Sequence, residues 1–330
     1  MPVKTSYSPE DVIIGCVADQ QVKYLEQAFR LLVSWRRSGG RLSKCRFIIC
    51  VVGGIPPGYA ASMTPWFPEF VEVDSFTAAH PPSNKLRFLE LELIQKYDRV
   101  ILLDCDTIIL HEPLDLLGDA PLLAKMADIA TVPDTIFTQL YAAVGSIKPE
   151  PKYSCTVSGE ASIPYFNAGV LSFSKKAIQD LVPTWLRLNR KVAEHPEWLG
   201  EAFGFLEQAT LSLAITNTNT EFSLLSSAMN FPAHFQDPPI PSLTEVDPII
   251  LHYHGLINDF GYLAQSPYPL VQCAIQEFNV ALTEAWVLRY RALEEVIRTS
   301  RFRGGIIAKL REHFRKSCLK KGLSPDIAEL

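Results

Sequence analysis

The sequence lacks an apolar run of about 18 residues, which is roughly what a helix needs to cross a membrane. Residues Met1–Glu10 also contain no apolar segment of the kind found in secretion signals. The seven cysteines are scattered without the spacing of a metal site, and Cys16, Cys50 and Cys105 fall inside or beside apolar strand patterns. This usage is typical of free, buried thiols in a reducing compartment. We therefore expect a cytoplasmic protein.

Charged residues are also scarce, at 20% of the chain, and the net charge of −5 argues against nucleic acid as the main partner. Hydrophobic residues make up 48% of the 330 residues, so the chain can bury a substantial core. The sequence shows no internal repeat and no low-complexity segment. These features indicate a globular protein of one large domain or two ordinary ones.

Two motifs that handle phosphate in other enzymes are missing. No Gly-Lys pair occurs, although a P-loop needs one. No Asp-Asp pair occurs either, and Thr107 follows Asp106 directly, whereas haloacid-dehalogenase-type phosphatases place Thr or Val one residue later. These absences argue against both enzyme classes.

The most informative segment that is present is Arg99–Leu110, an apolar run interrupted by two aspartates. Val100–Leu103 predicts a strand buried on both faces, and Asp104 and Asp106 follow it. In extended geometry both carboxylates point to the same side, at the sheet edge where open α/β sheets bind ligands. A divalent cation carrying a phosphorylated substrate suits this pair. One aspartate capping a turn while the other faces solvent is the alternative.

Alternating strand and helix patterns predict an α/β fold, with a mostly parallel central sheet flanked by helices on both faces. The predicted strands are Val12–Ala18, Phe47–Val52, Phe70–Val73, the segment before Asp104, Leu122–Val132, Pro164–Phe173 and Ile249–His252. The predicted helices are Tyr24–Trp35, one capped by Ser83 that runs to about Tyr97, one opening at Ser174, Glu207–Ile215, and the region after Pro269. Between Ile136 and Ile163 we expect a long loop over the site.

Two histidines close the last predicted strand. His252 and His254 flank Tyr253 and precede Gly255, and one neutral imidazole beside two aspartates suits Mn²⁺ or Mg²⁺. A histidine that serves only packing is the alternative.

An amide and a carboxylate are further candidates. Asn167 lies between aromatic residues and the small pair Ala168-Gly169, which predicts either a hydroxyl-binding amide where substrate approaches the backbone or a tight bulge. Glu207-Gln208 opens a helix pattern, where solvated first-turn residues are the ordinary interpretation.

The order and spacing of these motifs resemble GT-A-fold glycosyltransferases of family 8, the glycogenin and lipopolysaccharide galactosyltransferase type. The resemblance covers roughly residues 12–260. The family motifs appear here as Asp104-Cys105-Asp106, Phe166-Asn167-Ala168-Gly169-Val170, Glu207-Gln208 with Glu in place of Asp, and His252-Tyr253-His254-Gly255. Asn258-Asp259-Phe260 stands where the family has Lys-Pro-Trp.

The resemblance implies a metal-dependent, retaining transfer of a hexose from a nucleoside-diphosphate sugar, most often a UDP-sugar, to a carbohydrate, lipid-linked or protein acceptor. It implies that Asp104, Asp106 and His252, rather than His254, hold Mn²⁺ or Mg²⁺. Glu207 is the candidate for a carboxylate nucleophile and Gln208 for a positioning group, and a same-face substitution stays open. A nucleotide-sugar-binding protein with little turnover and a GT-A-like nucleotidyltransferase are the alternative functions.

The resemblance also implies a set of donor-binding residues. Asp19 would contact the uracil and Tyr24 would stack on it, while Arg87, or Lys85 as the alternate, would meet the diphosphate or sugar. Asp134 would bind the donor sugar, and Asn230 matches a late asparagine near the donor pocket. Cys105, Asn167, Ala168, Gly169 and Gly255 complete the expected donor site. Because the lysine after His252 is missing, another cation has to replace it.

We expect a GT-A domain over residues 1–268 and a helical extension over 269–330. Within the extension, Arg301–Lys321 holds eight basic residues and one acid, Glu312. An apolar stripe recurs there at Ile306, Leu310, Phe314 and Cys318. This segment is either a helix packed on the domain or an interfacial helix that makes peripheral contact with an anionic membrane.

Overall fold

The computed structural model describes residues 7–56 and 58–299, with side chains as far as residue 295. The strands are β1 (Val12–Asp19), β2 (Arg46–Val52), β3 (Glu69–Val73), β4 (Arg99–Leu103), β5 (Thr107–Ile109), β6 (Leu122–Met126), β7 (Tyr153–Ser154), β8 (Ala161–Ser162), β9 (Phe166–Ser174), β10 (Phe222–Leu224), β11 (Phe231–Pro232) and β12 (Ile250–His252). The α-helices are α1 (Val22–Ser38), α2 (Tyr59–Ser62), α3 (Asp134–Ala143), α4 (Lys175–Ala193), α5 (Leu206–Thr218) and α6 (Pro269–Thr299).

The central sheet has seven strands in the order β10-β6-β9-β4-β1-β2-β3. Strands β4, β1, β2 and β3 are parallel to one another, as are β6 and β10, whereas β9 runs antiparallel between β4 and β6. The expected mixed α/β architecture with a largely parallel sheet is confirmed.

Period-two alternation divides the core between the two faces of the sheet. On β1, Ile14 packs in the cluster that contains α1 and the buried side of α6, while Ile13 packs in the cluster that contains α4 and α5. Both residues are fully buried because helices cover both faces. This double covering explains why β1, β2 and β4 appear in the sequence as continuous apolar runs.

A small second sheet, with the order β11-β12-β5, stands beside the C-terminal end of β4. In it β12 runs antiparallel to β5, which pairs His252 with Thr107. The register therefore brings the late histidine to the turn that carries Asp104 and Asp106.

Three local predictions about secondary structure were wrong. The segment expected as one helix capped by Ser83 consists of two 3-10 stretches, Pro81–Glu90 and Glu92–Lys96, and Ser83 lies inside the first, where its hydroxyl bonds His80. Strand β6 ends at Met126, because the chain then turns to pair with residues 156–158. The expected loop before Ile163 contains α3 and the hairpin β7-β8.

The prediction that Ser174 opens a helix is confirmed, because its hydroxyl accepts the N–H of Ala177 at 3.2 Å at the start of α4. At the other end of the chain, α6 buries Val271, Phe278 and Trp286 in the same cluster as α1. The basic segment Arg301–Lys321 lies outside the described residues. Within the described part, no helix is both long and apolar enough to cross a membrane.

Candidate functional site

Asp104 and Asp106 lie in a turn between β4 and β5, not in the extended strand that the sequence suggested. The N–H of Asp104 donates to Gly169 O at 2.8 Å, and Thr107 bonds the Asp104 carbonyl with both its N–H and its hydroxyl. Cys105 turns into the core, where its thiol donates to Val17 O. The turn therefore leaves the two carboxylates directed at the same site while the residue between them packs inside.

His252 joins the two aspartates. Its Nε2 lies 3.2 Å from Asp106 Oδ1 and 4.0 Å from Asp104 Oδ2, and the ring is buried. Burial alone would raise the pKa of Asp106, but His252 lowers this pKa to about 2. Burial alone would lower the pKa of His252, and the Asp106 carboxylate instead holds it above the usual value. Two carboxylates and an imidazole nitrogen are a donor set that fits Mn²⁺ or Mg²⁺.

Lys85, rather than Arg87, is the cation at this site. Its Nζ lies 2.7 and 2.8 Å from the two carboxylate oxygens of Asp104. Although burial opposes it, the nearby Asp104 and Glu207 raise the pKa of Lys85 above its usual value. Arg87 bonds the carbonyls of residues 74 and 75 and the carboxylate of Glu90 instead. Sequence spacing favoured Arg87 as the residue that meets the diphosphate or sugar, but Lys85, the alternate, is the one that lies next to the aspartates.

Glu207 is buried behind Lys85, with 4% of its surface exposed. Its Oε1 lies 3.7 Å from Lys85 Nζ and its Oε2 lies 3.8 Å from His80 Nε2. The neighbouring Gln208 is half-buried in the first turn of α5. No sequence pattern marks His80 as a site residue, because an isolated histidine after a loop has no distinguishing spacing.

Asn167 lies at the centre of a buried network. Its Oδ1 accepts from Gly169 N at 2.9 Å and from Asn230 Nδ2 at 3.1 Å, and its Nδ2 donates to Asp128 Oδ2 at 3.1 Å. Asn230 is fully buried and bonds His252 through its Oδ1, at 3.1 Å from the ring Nδ1. The two amides therefore connect the metal-ligand candidates to a carboxylate that sequence analysis did not select.

Gly169 makes room for a protein side chain and not for substrate. A Cβ at this position would lie 2.5 Å from His252 Cε1. Ala168 beside it is buried. The interpretation that small residues admit substrate to the backbone is therefore replaced by close packing of His252.

Asp134 is not brought into the network. It begins α3 with its side chain 65% exposed and pairs with Lys148. Asp128 is the carboxylate beside Asn167, buried and bonded to Thr156 at 3.0 Å and to Lys125. A lone aspartate in a short loop carries no periodic signal, which explains why sequence analysis missed it.

The remaining donor-site candidates follow strands β1 and β12 along the chain. Asp19 ends β1, and its carboxylate accepts from Gln21 N at 3.0 Å, while Tyr24 in the first turn of α1 is 37% exposed. Gly255 is exposed, with nothing near its missing side chain. Because β1 and β4 are parallel, their carboxyl ends meet at the edge that carries Asp104.

His254 stacks on His252, with ring centroids 3.9 Å apart, and adopts a left-handed φ of 52°. Burial, followed by the adjacent histidines 252 and 234, lowers the pKa of His254 to about 2. Ligand atoms of Asp106, His252 and His254 all lie within 4.8 Å of one another. Both histidines therefore lie near the aspartates, so the geometry does not choose between them.

Comparison with known proteins identifies relatives of this architecture. Residues 66–219 match the family described as the Rhodobacterales glycosyltransferase domain. The galactosyltransferase LgtC, solved with donor and acceptor sugar analogs, is similar with a TM-score of 0.53 at 18% identity, over 82% of this chain and 95% of that one. The apo form of the glycosyltransferase GlyE from Streptococcus pneumoniae is similar with a TM-score of 0.52 at 16% identity, over 87% of this chain and 63% of that one.

No curated protein matches the chain in sequence. The structural similarities show the fold, and the family match covers the segment that contains Lys85, both aspartates and Asn167. The chain therefore has the GT-A-like fold of these glycosyltransferases, and its residues 66–219 match the Rhodobacterales glycosyltransferase domain.

Proposed function

We propose that this protein is a metal-dependent glycosyltransferase that uses a UDP-sugar as hexose donor and retains the configuration at the anomeric carbon. The observation that carries the proposal is the meeting of Asp104, Asp106 and His252 at the carboxyl edge of the central sheet. These three residues would hold Mn²⁺ or Mg²⁺. A divalent cation held there neutralises the negative charge that develops on the diphosphate leaving group.

Lys85 is our candidate for the cation that replaces the family lysine missing after His252. It lies within 2.8 Å of Asp104, whereas Asn258 in the loop after His252 accepts backbone N–H groups of residues 260 and 262. An ammonium group next to the aspartates would contact diphosphate oxygens. Asp19 and the exposed ring of Tyr24 would bind the uracil at the adjacent end of β1.

The burial of Glu207 favours a same-face substitution over a double displacement. A nucleophilic carboxylate has to contact the anomeric carbon, but Glu207 is 4% exposed and lies between Lys85 and His80. In this position the carboxylate acts as a counter-ion that keeps Lys85 charged and in place. Gln208, one residue further and half-buried, is the better candidate for a group that touches the donor.

The test is incubation of the full chain with a panel of UDP-sugars and Mn²⁺, with UDP release as the measurement. We expect slow metal-dependent hydrolysis for at least one donor, abolished by chelation, and NMR of the freshly released sugar should show the donor's anomeric configuration. Donor binding without UDP release would indicate a binding protein. Pyrophosphate formation from UTP and a sugar phosphate would indicate a nucleotidyltransferase.

Glu207→Gln separates the two retaining mechanisms. If Glu207 is the counter-ion of Lys85, the variant should keep a fraction of the hydrolysis, and mass spectrometry should find no glycosylated enzyme. A glycosyl adduct on wild-type Glu207, with complete loss of hydrolysis in Glu207→Gln, would restore the double displacement.

A further inference from the structure

A chain of hydrogen bonds runs from the metal-ligand candidate His252 to the ion pair of Asp128 and Lys125. From His252 Nδ1 it passes to Asn230 Oδ1 at 3.1 Å, from Asn230 Nδ2 to Asn167 Oδ1 at 3.1 Å, and from Asn167 Nδ2 to Asp128 Oδ2 at 3.1 Å. Four of these five residues are buried, and Asn167 is half-buried. We name residues 252, 230, 167, 128 and 125 the amide relay.

Two fixed groups determine the direction of every bond in the amide relay. Asp128, as a carboxylate paired with Lys125, can only accept, so Asn167 has to direct its Nδ2 at Asp128. The N–H of Gly169 can only donate, so it holds Oδ1 of Asn167 on the opposite side, 2.9 Å away. A flipped Asn167 amide would face an acceptor with its oxygen and a donor with its nitrogen. Its orientation is therefore set from both ends.

The same logic extends to the histidine. Since Asn167 offers its oxygen, Asn230 has to donate with Nδ2 and present Oδ1 to the ring of His252. An amide oxygen can only accept, so the proton of His252 has to be on Nδ1. In the neutral ring the Nε2 lone pair is then left free on the side that faces Asp106, 3.2 Å away.

We propose that Asn230 is a positioning residue that fixes the Nδ1–H tautomer of His252, and that the amide relay anchors this choice on Asp128. The inference rests on the proposed metal site, since only a ligand needs one defined nitrogen free. It also assigns Asn230 a role other than the expected contact with donor, because Asn230 is fully buried and both polar ends of its side chain are used.

The contact between His252 and Asp106 opposes the Nδ1–H tautomer, so a second group has to stabilise it. The Asp106 carboxylate accepts hydrogen bonds and by itself favours a proton on Nε2, which would block metal ligation. Groups that orient a metal-binding histidine through its second nitrogen typically change metal affinity about 10- to 100-fold when mutated. We expect an effect of this size from Asn230.

The experiment compares Asn230→Leu with Asn189→Leu in the full chain. Asn189 is the matched control, because it is also a fully buried asparagine but bonds Thr210 of α5, at 3.1 Å, and no residue of the amide relay. Calorimetric titration with Mn²⁺ should show roughly 10- to 100-fold weaker binding for Asn230→Leu and unchanged binding for Asn189→Leu. His252→Ala identifies the binding that belongs to this site.

A second measurement locates the proton on the His252 ring directly. Nitrogen-15 NMR of wild-type His252, recorded at a pH at which the free ring is neutral and again with Mg²⁺ bound, should show a proton on Nδ1 in both states, with Nε2 shifted by the metal. Asn230→Leu should lose or weaken the Nδ1 proton signal, whereas Asn189→Leu should keep it. A purely structural role for Asn230 would leave this signal in place.

The outcomes separate the inference from the proposed function. If His252→Ala weakens Mn²⁺ binding but Asn230→Leu does not, the metal site stands and the positioning role is wrong. If the wild type binds no Mn²⁺ or Mg²⁺, the metal proposal fails. The NMR of the free protein then shows by itself whether Asn230 holds the His252 proton on Nδ1. A neutral His252 ring that carries its proton on Nε2 alone overturns the amide relay in either case.

Discussion

Single side chains at the turn after β4 decide whether this chain can hold a metal. Asp106 is the clearest case, because its carboxylate faces His252 and its pKa is lowered to about 2. We expect Asp106→Asn to abolish Mn²⁺ binding and metal-dependent UDP release, since an amide supplies one neutral oxygen in place of a charged ligand. Calorimetry and a UDP-release assay measure both effects. Asp134→Asn, at an exposed aspartate paired with Lys148, is the control that should change neither.

Wild-type turnover and metal dependence in Asp106→Asn would contradict the metal site. Circular dichroism should show the same fold for both variants, because neither carboxylate packs in the apolar core.

Lys85 and Arg87 form a natural pair for a second prediction. Two residues apart in a 3-10 stretch, they point in different directions, and only Lys85 reaches Asp104. We expect Lys85→Met to weaken UDP binding about 10- to 100-fold, the loss of roughly 1.5–3 kcal/mol from a charge-assisted hydrogen bond. Arg87→Met should leave UDP affinity within about twofold. Equal losses in the two variants, measured by calorimetry with UDP and Mn²⁺, would contradict the assignment.

Gly169 provides a third test at residue scale. A methyl group there would lie 2.5 Å from His252 Cε1 and 2.7 Å from Nδ1, so the ring has to move. We expect Gly169→Ala to weaken Mn²⁺ binding by about the 10- to 100-fold typical of disturbed ligand orientation. Gly204→Ala is the control, because no atom lies within 4 Å of its added methyl group. Unchanged Mn²⁺ affinity in Gly169→Ala would show that the site tolerates a displaced His252.

At the scale of elements, β9 and α4 form one continuous unit that carries Asn167 at its start. Ser174 joins the two as the N-cap of α4, accepting the N–H of Ala177. We expect Ser174→Ala to lower the free energy of unfolding by about 1 kcal/mol, the usual cost of a lost N-cap, while Mn²⁺ affinity stays unchanged. Urea unfolding measures the first effect and calorimetry the second.

The control for this prediction is Ser226→Ala. Ser226 occupies the N-cap position of the 3-10 stretch Ser227–Asn230, but its side chain makes no capping bond there. Its replacement should leave the unfolding midpoint unchanged. A loss of Mn²⁺ affinity in Ser174→Ala would mean that the cap supports the site and not only the helix.

For the whole molecule, the open question is how the chain meets its acceptor. If Arg301–Lys321 is an interfacial helix, its basic residues should attract anionic lipid by roughly 1 kcal/mol each near the surface, less those that point away. We expect the full chain to co-sediment with anionic liposomes at low salt and to be released at high salt. A chain that ends at Thr299 should stay in the supernatant. If the full chain also stays there at low salt, the membrane interpretation is wrong and the segment packs on the domain.

The sequence by itself determined the class of fold and the core of the site. Short apolar runs that end in polar or turn-forming residues are typical of strands covered on both faces, and the bounds of β1, β2 and β4 were predicted to within one or two residues. The same pattern pointed to the site residues, because each lies at the end of a predicted strand. The two aspartates follow β4, Asn167 lies at the start of β9, and His252 is the last residue of β12. These features could be predicted because strand formation depends on the pattern of apolar and polar residues within one segment of the chain.

Only the tertiary structure decided which residues meet. The 3-10 geometry of residues 81–90 directs Lys85 at Asp104. The turn after β6 places Asp128, and not Asp134, next to Asn167. The buried position of Glu207 between Lys85 and His80 likewise depends on α5 packing against the 3-10 stretch. These contacts join residues that lie far apart in the chain. The position of a buried polar side chain depends on the partner that forms its hydrogen bond, and the pattern of one segment does not reveal a partner in another segment.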